Sequence, residues 1–444
     1  MNILFFSTWV SCSRYKLTCA LINAAHRDIL SVQGMVNHNK NKILNDPVYG
    51  FIAIEHPLTF DLMDHPFVQR LRRISQLGLS HLVYPGAVHN RFHHAIGAMH
   101  LMQEAISVLR AKGTDISPKE AEGACVAILL HDIGHGPFSH ALENSIVTGV
   151  HHEDISSLMM AKLNEDFHGA LDTAIEIFND HHPKRFLHQL VSSQLDMDRL
   201  DYLARDSFYS GVAEGKIGSE RIIKMLDVQD GQLVVEEKGI YSIEKFLMAR
   251  RLMYWQVYLH RTVLCAEFML MSALKRAKHL AQSGKSVFTT PALSIFINAS
   301  LDRAKFMADP GILSQFCELD DNDIICSLKA WQHHEDFVLS ELSRRIIQRK
   351  LFRIDLRPKA FDSIDVSELE DKVASHHSIS KEDAAYFVIN NRIDNSLYAE
   401  GGITIRFKDG RLADFADASD QLNREILMRK VAKSFVCFPK EIHN

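Results

Sequence analysis

The sequence predicts a mainly α-helical protein with a small α+β region near its C-terminal end. Two observations carry this. From about Lys42 to residue 285, apolar residues recur at helical spacing between short Pro/Gly punctuation. Strand-like stretches are few and mostly late. The 444 residues, 46% hydrophobic and 24% charged, suffice for one large domain plus a smaller one with a sizeable core. The expected division is 1–41 as an N-terminal extension, 42–285 as a helical domain, and 286–444 as a helical and mixed α+β region.

Within the extension, Ile3 to Val10 is apolar, but no basic residues precede it and no cleavage site follows. It reads as a start-site extension or an extra helix before Met35 rather than a secretory signal. One helix runs from His94 through Leu101, Ala105 and Val108. The next starts at Ser117-Pro118-Lys119-Glu120, with Ser as cap, Pro in the first turn and Glu three residues on. Ala121, Ala124, Cys125, Ile128 and Leu129 form its apolar face, and Gly134 and Gly136 before Pro137 are expected to end it. A third runs from Leu187 through Leu190 and Val191 to Leu195. Leu233–Glu236 and Ile240–Ile243 are expected to pair as a hairpin. Leu351–Leu356, Tyr386–Ile389 and Ile403–Phe407 are the late strands.

Composition excludes several functions. A net charge of −5 argues against a nucleic-acid partner bound through a basic surface. The seven cysteines are scattered with no C-x-x-C pair, which argues against a disulfide framework or thiolate zinc site and fits a reducing, cytoplasmic setting. Apolar runs such as Cys125–Leu130 are too short to cross a membrane.

The informative segment is His131-Asp132-Ile133-Gly134-His135-Gly136-Pro137-Phe138-Ser139-His140. Continuing the stripe from Ile128 and Leu129 places His131 and Asp132 toward the core, where an unpaired carboxylate costs several kcal/mol, on the order of 3 or more. Asp198 falls three residues past Leu195, and His94 heads the stripe through Gly97, Ala98 and Leu101. Each alone reads as a hydrogen-bonded core residue. Together, two imidazoles and two carboxylates suit one Fe, Mn, Ni or Zn ion with open positions, not a closed structural zinc site.

The order H…HD…D resembles the HD-domain phosphohydrolases. Asn45-Asp46-Pro47, Gln69-Arg70-Leu71-Arg72, Gln76-Leu77-Gly78, Tyr84-Pro85-Gly86, His89-Asn90-Arg91-Phe92 and the HDIGHGPFSH segment are similar to the deoxynucleoside triphosphate triphosphohydrolases, including the HD domain of the animal sterile-alpha-motif-and-HD protein and its bacterial relatives. Similarity is dense from Lys42 to Asp206. It implies an HD-domain helical core with His94, His131, Asp132 and Asp198 as metal ligands. Two departures are His93, where relatives carry Glu, and Leu200, where they carry an aromatic.

Arg91 and Arg199 flank the ligands, and arginine forks suit phosphate oxygens. His152, followed by Glu153, matches the family's His-Glu step and is expected to be the general acid to the 5′ oxygen, since histidine suits proton transfer near neutrality. Glu143 would orient it, and His135 and His140 would line the phosphate channel. By resemblance Tyr202 and Asp206 lie near the sugar, Arg250 and Tyr258 near phosphates and sugar, and Gln76 and Leu77 at the base. Asp64, Gln69 and Arg72 match residues that grip a guanine nucleotide at a subunit interface. Lys42, Asn45, Arg349 and Arg353 match a neighbouring nucleotide site.

These features imply metal-dependent hydrolysis of dNTP to deoxynucleoside and triphosphate, with Mg accompanying the nucleotide, a GTP or dNTP activator, and a homodimer or homotetramer. The rival readings are an HD enzyme acting on a nucleoside monophosphate, guanosine polyphosphate or cyclic dinucleotide, and a non-catalytic nucleotide or single-stranded nucleic-acid binder.

Overall fold

The computed structural model describes residues 42–138, 147, 149–395, 398, 402–422, 424–428 and 430–443. The extension expected at 1–41 lies outside them. Residues 43–444 form one compact unit.

The described chain opens on a two-stranded hairpin, β1 (Lys42–Asp46) and β2 (Gly50–Ile54), where helix was expected. The turn explains it. Asp46 Oδ1 accepts from the Val48 and Tyr49 amides at 2.9 and 3.0 Å, and Gly50 takes φ 78°. Short helices α1 (Pro57–Asp64) and α2 (Pro66–Arg70) follow, each with proline in its first turn.

The helical core comprises α3 (Arg91–Ala111), α4 (Pro118–Leu130), α5 (His152–Asp166), α6 (Asp172–Phe178), α7 (Arg185–Val191) and α8 (Met197–Ser210). Helix α4 is buried on nearly every side, which its all-apolar run from Gly123 to Leu130 permits. It packs between α3 and α6, while α8 lies on the other flank of α3. The Ser117 cap forms as read: its hydroxyl accepts from Glu120 N at 3.2 Å and Glu120 Oε2 accepts from Ser117 N at 2.8 Å.

Beyond the core, α9 (Ser219–Lys224) leads into β3 (Leu226–Gln229) and β4 (Gln232–Glu236), then α10 (Ile240–Met253) and α11 (Arg261–Gln282). The hairpin is therefore not the expected one. It turns on Asp230-Gly231, at φ 52° and 74°, and residues 240–243 begin a helix. The Asp-Gly pair was the available signal.

Helices α12 (Pro291–Asn298), α13 (Arg303–Ala308), α14 (Pro310–Glu318), α15 (Asp321–Trp331) and α16 (Phe337–Ile347) come next. Strands β5 (Arg353–Arg357) and β6 (Ile389–Asn395) flank a later strand, Val431–Phe438, in an antiparallel sheet. The strand expected at Tyr386–Ile389 thus begins where that reading ended. Thr404–Arg406 pairs parallel with β4, so the late chain returns to the β3–β4 hairpin.

The late helices also brace the core directly. Arg70, fully buried, donates from Nε to Leu319 O at 2.7 Å and from Nη1 to Ile133 O at 3.3 Å. Asp321 accepts from the Ser75 and Phe138 amides, both at 2.8 Å. No single helix among the described residues is long and apolar enough to cross a membrane.

Candidate metal centre

Two expectations about local structure fail around the centre. Helix α4 stops at Leu130, not at the glycines, and His131 is its C-cap. Helix α7 stops at Val191, so Asp198 does not continue the Leu187–Leu195 stripe. Asp196 instead caps a new helix, accepting from Arg199 N and Ser193 N, each at 2.7 Å. The ligand positions are therefore helix ends. His131 and Asp132 leave the end of α4, Asp198 lies in the first turn of α8, and His94 lies in the first turn of α3.

The ends converge. His94 Nε2 is 3.2 Å from Asp198 Oδ1 and 3.8 Å from Asp132 Oδ2. His131 Nε2 is 3.4 Å from Asp132 Oδ1 and 3.5 Å from Asp198 Oδ1. The donor atoms of His94, His131 and Asp198 lie within 4.8 Å of one another.

Both imidazoles are oriented from behind. His131 Nδ1 sits 2.6 Å from Ile128 O, and His94 Nδ1 sits 2.7 Å from Asp201 Oδ2. A carbonyl and a carboxylate only accept, so each Nδ1 carries its proton and each Nε2 presents a lone pair. Those two Nε2 atoms are buried and have no hydrogen-bond partner among the described residues. Two unsatisfied lone pairs facing two carboxylates constitute a donor set for one divalent cation, and they fit it. Burial lowers the His94 pKa, but its contacts with Asp198 and Asp201 outweigh this and lift it to about 10. A cation at Nε2 takes the place of that proton.

Asp201, absent from the sequence reading, anchors the arrangement. It is fully buried, and besides holding His94 it accepts from Arg205 Nε and Nη2, both at 3.0 Å. Arg205 Nη1 continues to Asp46 Oδ2 at 2.7 Å. Gly97 makes room: a Cβ there would meet Asp201 Oδ1 at 2.0 Å and Arg205 Nη2 at 2.1 Å. Gly134 does the same for α5, since its Cβ would meet His152 O at 2.2 Å. His93 completes the cap of α3. Its Nδ1 accepts from Asn90 N at 3.3 Å, while Asn90 Oδ1 accepts from His93 N at 3.2 Å, the capping exchange a glutamate would make.

Around the four donors, Arg91 is buried and donates to Asp132 Oδ2. His135 stacks on His152 with centroids 3.8 Å apart, and its Nε2 is 3.3 Å from Asp132 Oδ1. Burial and then Arg91 push His135 well below the usual histidine range, so it is neutral. His152 Nε2 is 3.3 Å from Glu153 Oε1. His140 and Glu143 lie outside the described residues. A cavity of about 530 Å³ opens on the centre, walled by His131, Asp132, Asp198, Arg199 and His152, and also by Asn179, Asp180 and His188. Nothing in the sequence pattern marked those last three.

Arg199 Nε donates to Ser193 O at 2.7 Å, and its guanidinium pKa is raised by Asp196. Tyr202 meets Tyr258 edge-on at 6.1 Å, and Tyr258 OH donates to Asp206 Oδ2 at 2.8 Å. Arg250 Nη1 reaches Gln194 Oε1 at 3.3 Å, and its Nε is buried without a partner among the described residues. Gln76 Oε1 is in the same condition, and Leu77 packs half-buried against the core. At the expected nucleotide sites, Arg72 Nε donates to Gln69 Oε1 at 2.9 Å, and Asp64 is the last residue of α1. Lys42 and Asn45 lie on β1. Arg349 donates to Leu82 O at 2.7 Å, and Arg353 pairs with Asp355 at 2.8 Å.

Comparison with known proteins gives the chain's family. The HD domain family model matches residues 91–206, and the HD associated region matches 217–289. A crystal structure of a phosphohydrolase from Bacteroides thetaiotaomicron superposes with a TM-score of 0.88 at 52% identity, covering 90% of this chain and 100% of that one. The uncharacterized protein YwfO of Bacillus subtilis is 35% identical over 325 residues, 71% of this chain and 72% of that protein. The deoxynucleoside triphosphate triphosphohydrolase SAMHD1 homolog of Dictyostelium discoideum is 31% identical over 261 residues, 54% of this chain and 50% of that protein. The match thus spans half the length of that relative.

Proposed function

We propose, for a chain that belongs to the HD-domain family of metal-dependent phosphohydrolases shared with the deoxynucleoside triphosphate triphosphohydrolases, that it converts a dNTP to deoxynucleoside and inorganic triphosphate. The observation that carries the reading is the pair of buried, unpartnered Nε2 atoms facing Asp132 and Asp198 beside a tyrosine-walled flank. Bound by His94, His131, Asp132 and Asp198, a divalent Fe, Mn, Ni or Zn ion supplies activation of water at neutral pH and charge neutralisation.

The chain's own groups do the rest. Arg91 and Arg199 offset charge on the phosphates, with neutral His135 able to donate to an oxygen. His152, stacked on His135 and next to Glu153, gives its proton to the departing 5′ oxygen. Glu143 and His140 are assigned supporting roles in orientation and the phosphate channel. Tyr202 and Tyr258 form a wall that leaves no room for a 2′-hydroxyl, Asp206 meets the sugar, Arg250 the phosphates, and Gln76 and Leu77 the base. A GTP or dNTP activator, bound by Asp64, Gln69 and Arg72 with Lys42, Asn45, Arg349 and Arg353, is assigned to an interface in a homodimer or homotetramer. Mg accompanies the nucleotide.

The test is incubation of metal-loaded protein with each dNTP, with and without GTP or a second dNTP. Release of triphosphate is the expected result. Pyrophosphate or monophosphate as product, or turnover confined to a guanosine polyphosphate or cyclic dinucleotide, defeats the proposal. Wild type and Asp132→Ala that behave alike make the protein a binder.

A further inference from the structure

A second cluster of imidazole and carboxylate groups lies outside the centre, where a late turn meets a late helix. Helix α17 (Ser363–His377) ends on two adjacent histidines. Ser378 stops it there by taking a left-handed φ of 54° while its amide donates back to Ala374 O. The strand Val431–Phe438 then delivers the turn Lys440–His443, which Ile442 anchors by its burial. As a result His376, His377 and Glu441 each place one donor atom within 4.8 Å of the other two.

These side chains are held in place. The His377 ring lies against Phe337 and Phe387, with centroids 5.3 and 5.7 Å away, and His376 meets it edge-on at 4.7 Å. Nε2 of His377 is buried and has no hydrogen-bond partner among the described residues. A buried nitrogen in that condition lacks a bond that an ion would supply. Glu441 is fixed from its other side. It accepts from Arg345, whose Nε donates to Glu341 Oε1 at 2.7 Å. A carboxylate has about four lone-pair sites, so Glu441 keeps acceptor capacity while holding Arg345. Two carboxylates around one guanidinium also leave a net negative charge. The C-terminal end of α17 adds partial negative charge of its own, which favours a cation.

We infer that His376, His377 and Glu441 form a second metal site, which takes a divalent transition ion such as zinc and pins the turn Lys440–His443 to α17. Two nitrogens and one oxygen suit zinc, nickel or copper, whereas Mg and Ca prefer oxygen shells and Mn binds such donors more weakly. Three protein donors leave a position for water. None of the three residues lines the cavity at the centre, so the site is structural.

The experiment counts zinc per chain by elemental analysis after dialysis of chelator-stripped, full-length protein against zinc. Wild type is compared with His376→Ala, His377→Gln, His94→Ala and the double variant His94→Ala with His376→Ala. Wild type holds one zinc more than either His376→Ala or His377→Gln. His94→Ala keeps that ion, and the double variant loses it. His376 is exposed, so its replacement leaves the packing alone and carries the test if His377→Gln does not fold. Zinc also slows proteolytic loss of the C-terminal turn in His94→Ala and has no such effect in the double variant. A wild type that holds no more zinc than His376→Ala overturns the inference, and the centre stands if that zinc is lost in His94→Ala. Zinc retained equally by His94→Ala and the double variant is bound elsewhere and overturns it too. Zinc bound without protection of the turn overturns the pinning.

Discussion

His94 Nδ1 and Asp201 Oδ2 stand 2.7 Å apart in the fully buried interface between α3 and α8, and this bond decides which histidine nitrogen faces the metal centre. The same carboxylate holds Arg205, so metal affinity and helix packing share one side chain.

Asp201→Asn therefore weakens metal binding about tenfold to a hundredfold, because the amide no longer fixes the imidazole tautomer. Asp201→Ala adds instability of about 3–5 kcal/mol by leaving Arg205 buried with only Asp46 as counter-charge. Metal titration followed by spectroscopy or calorimetry, alongside chemical denaturation, separates the two effects. Unchanged metal affinity in the Asn variant refutes the orienting role.

Removing the metal lowers stability. A cation at a hundred times its dissociation constant adds about 2.7 kcal/mol, here by occupying the Nε2 lone pairs of His94 and His131. Melting temperature should fall on chelation and recover with added Mn, Fe, Ni or Zn. His94→Ala should show no such response to Mn.

Gly97→Ala should destabilise by at least about 1–3 kcal/mol, since the new methyl enters the Asp201–Arg205 pair. Denaturant midpoints measure the loss. Stability equal to wild type would mean α3 and α8 pack less closely than described.

His152→Gln should lower kcat by about a hundredfold to ten-thousandfold with metal content unchanged, because His152 is not among the clustered donors His94, His131 and Asp198. Loss of bound metal in this variant would place His152 among the ligands instead.

Glu267 gives a pH dependence that does not involve the centre. Burial raises its pKa to about 8. An acid whose folded pKa lies above its unfolded value binds more protons when folded, so its contribution is fully present below about pH 4.3 and is lost as pH rises toward 8. The slope is at most about 1.4 kcal/mol per pH unit. Glu267→Gln removes it, and the variant should gain on wild type steadily between pH 5 and 8 in denaturation experiments. Parallel curves would place Glu267 in water.

Much of the site was legible because chemistry leaves local marks. An imidazole and a carboxylate at the end of an all-apolar run, as at His131 and Asp132, conflict with burial unless something binds them. Asp198 joins the cluster of His94 and His131 for a different reason from the expected one, since the helix assumed to carry it breaks at Val191 and a new one starts at the Asp196 cap. Asp201 was passed over because an aspartate in an α-helix looks like a solvated face until the partner helix is known. The early hairpin was missed because a side-chain turn at Asp46 outweighed the apolar spacing.

The sequence by itself determined a mainly helical protein and singled out His94, His131, Asp132 and Asp198 as candidate metal ligands, since apolar periodicity and the cost of burying charge are both written along the chain. Only the tertiary structure decided which nitrogens face the centre, which carboxylate orients them, and how the late helices brace the front of the site. Those outcomes depend on side chains such as His94 and Asp201 meeting across more than a hundred residues, and linear spacing carries no information about such contacts.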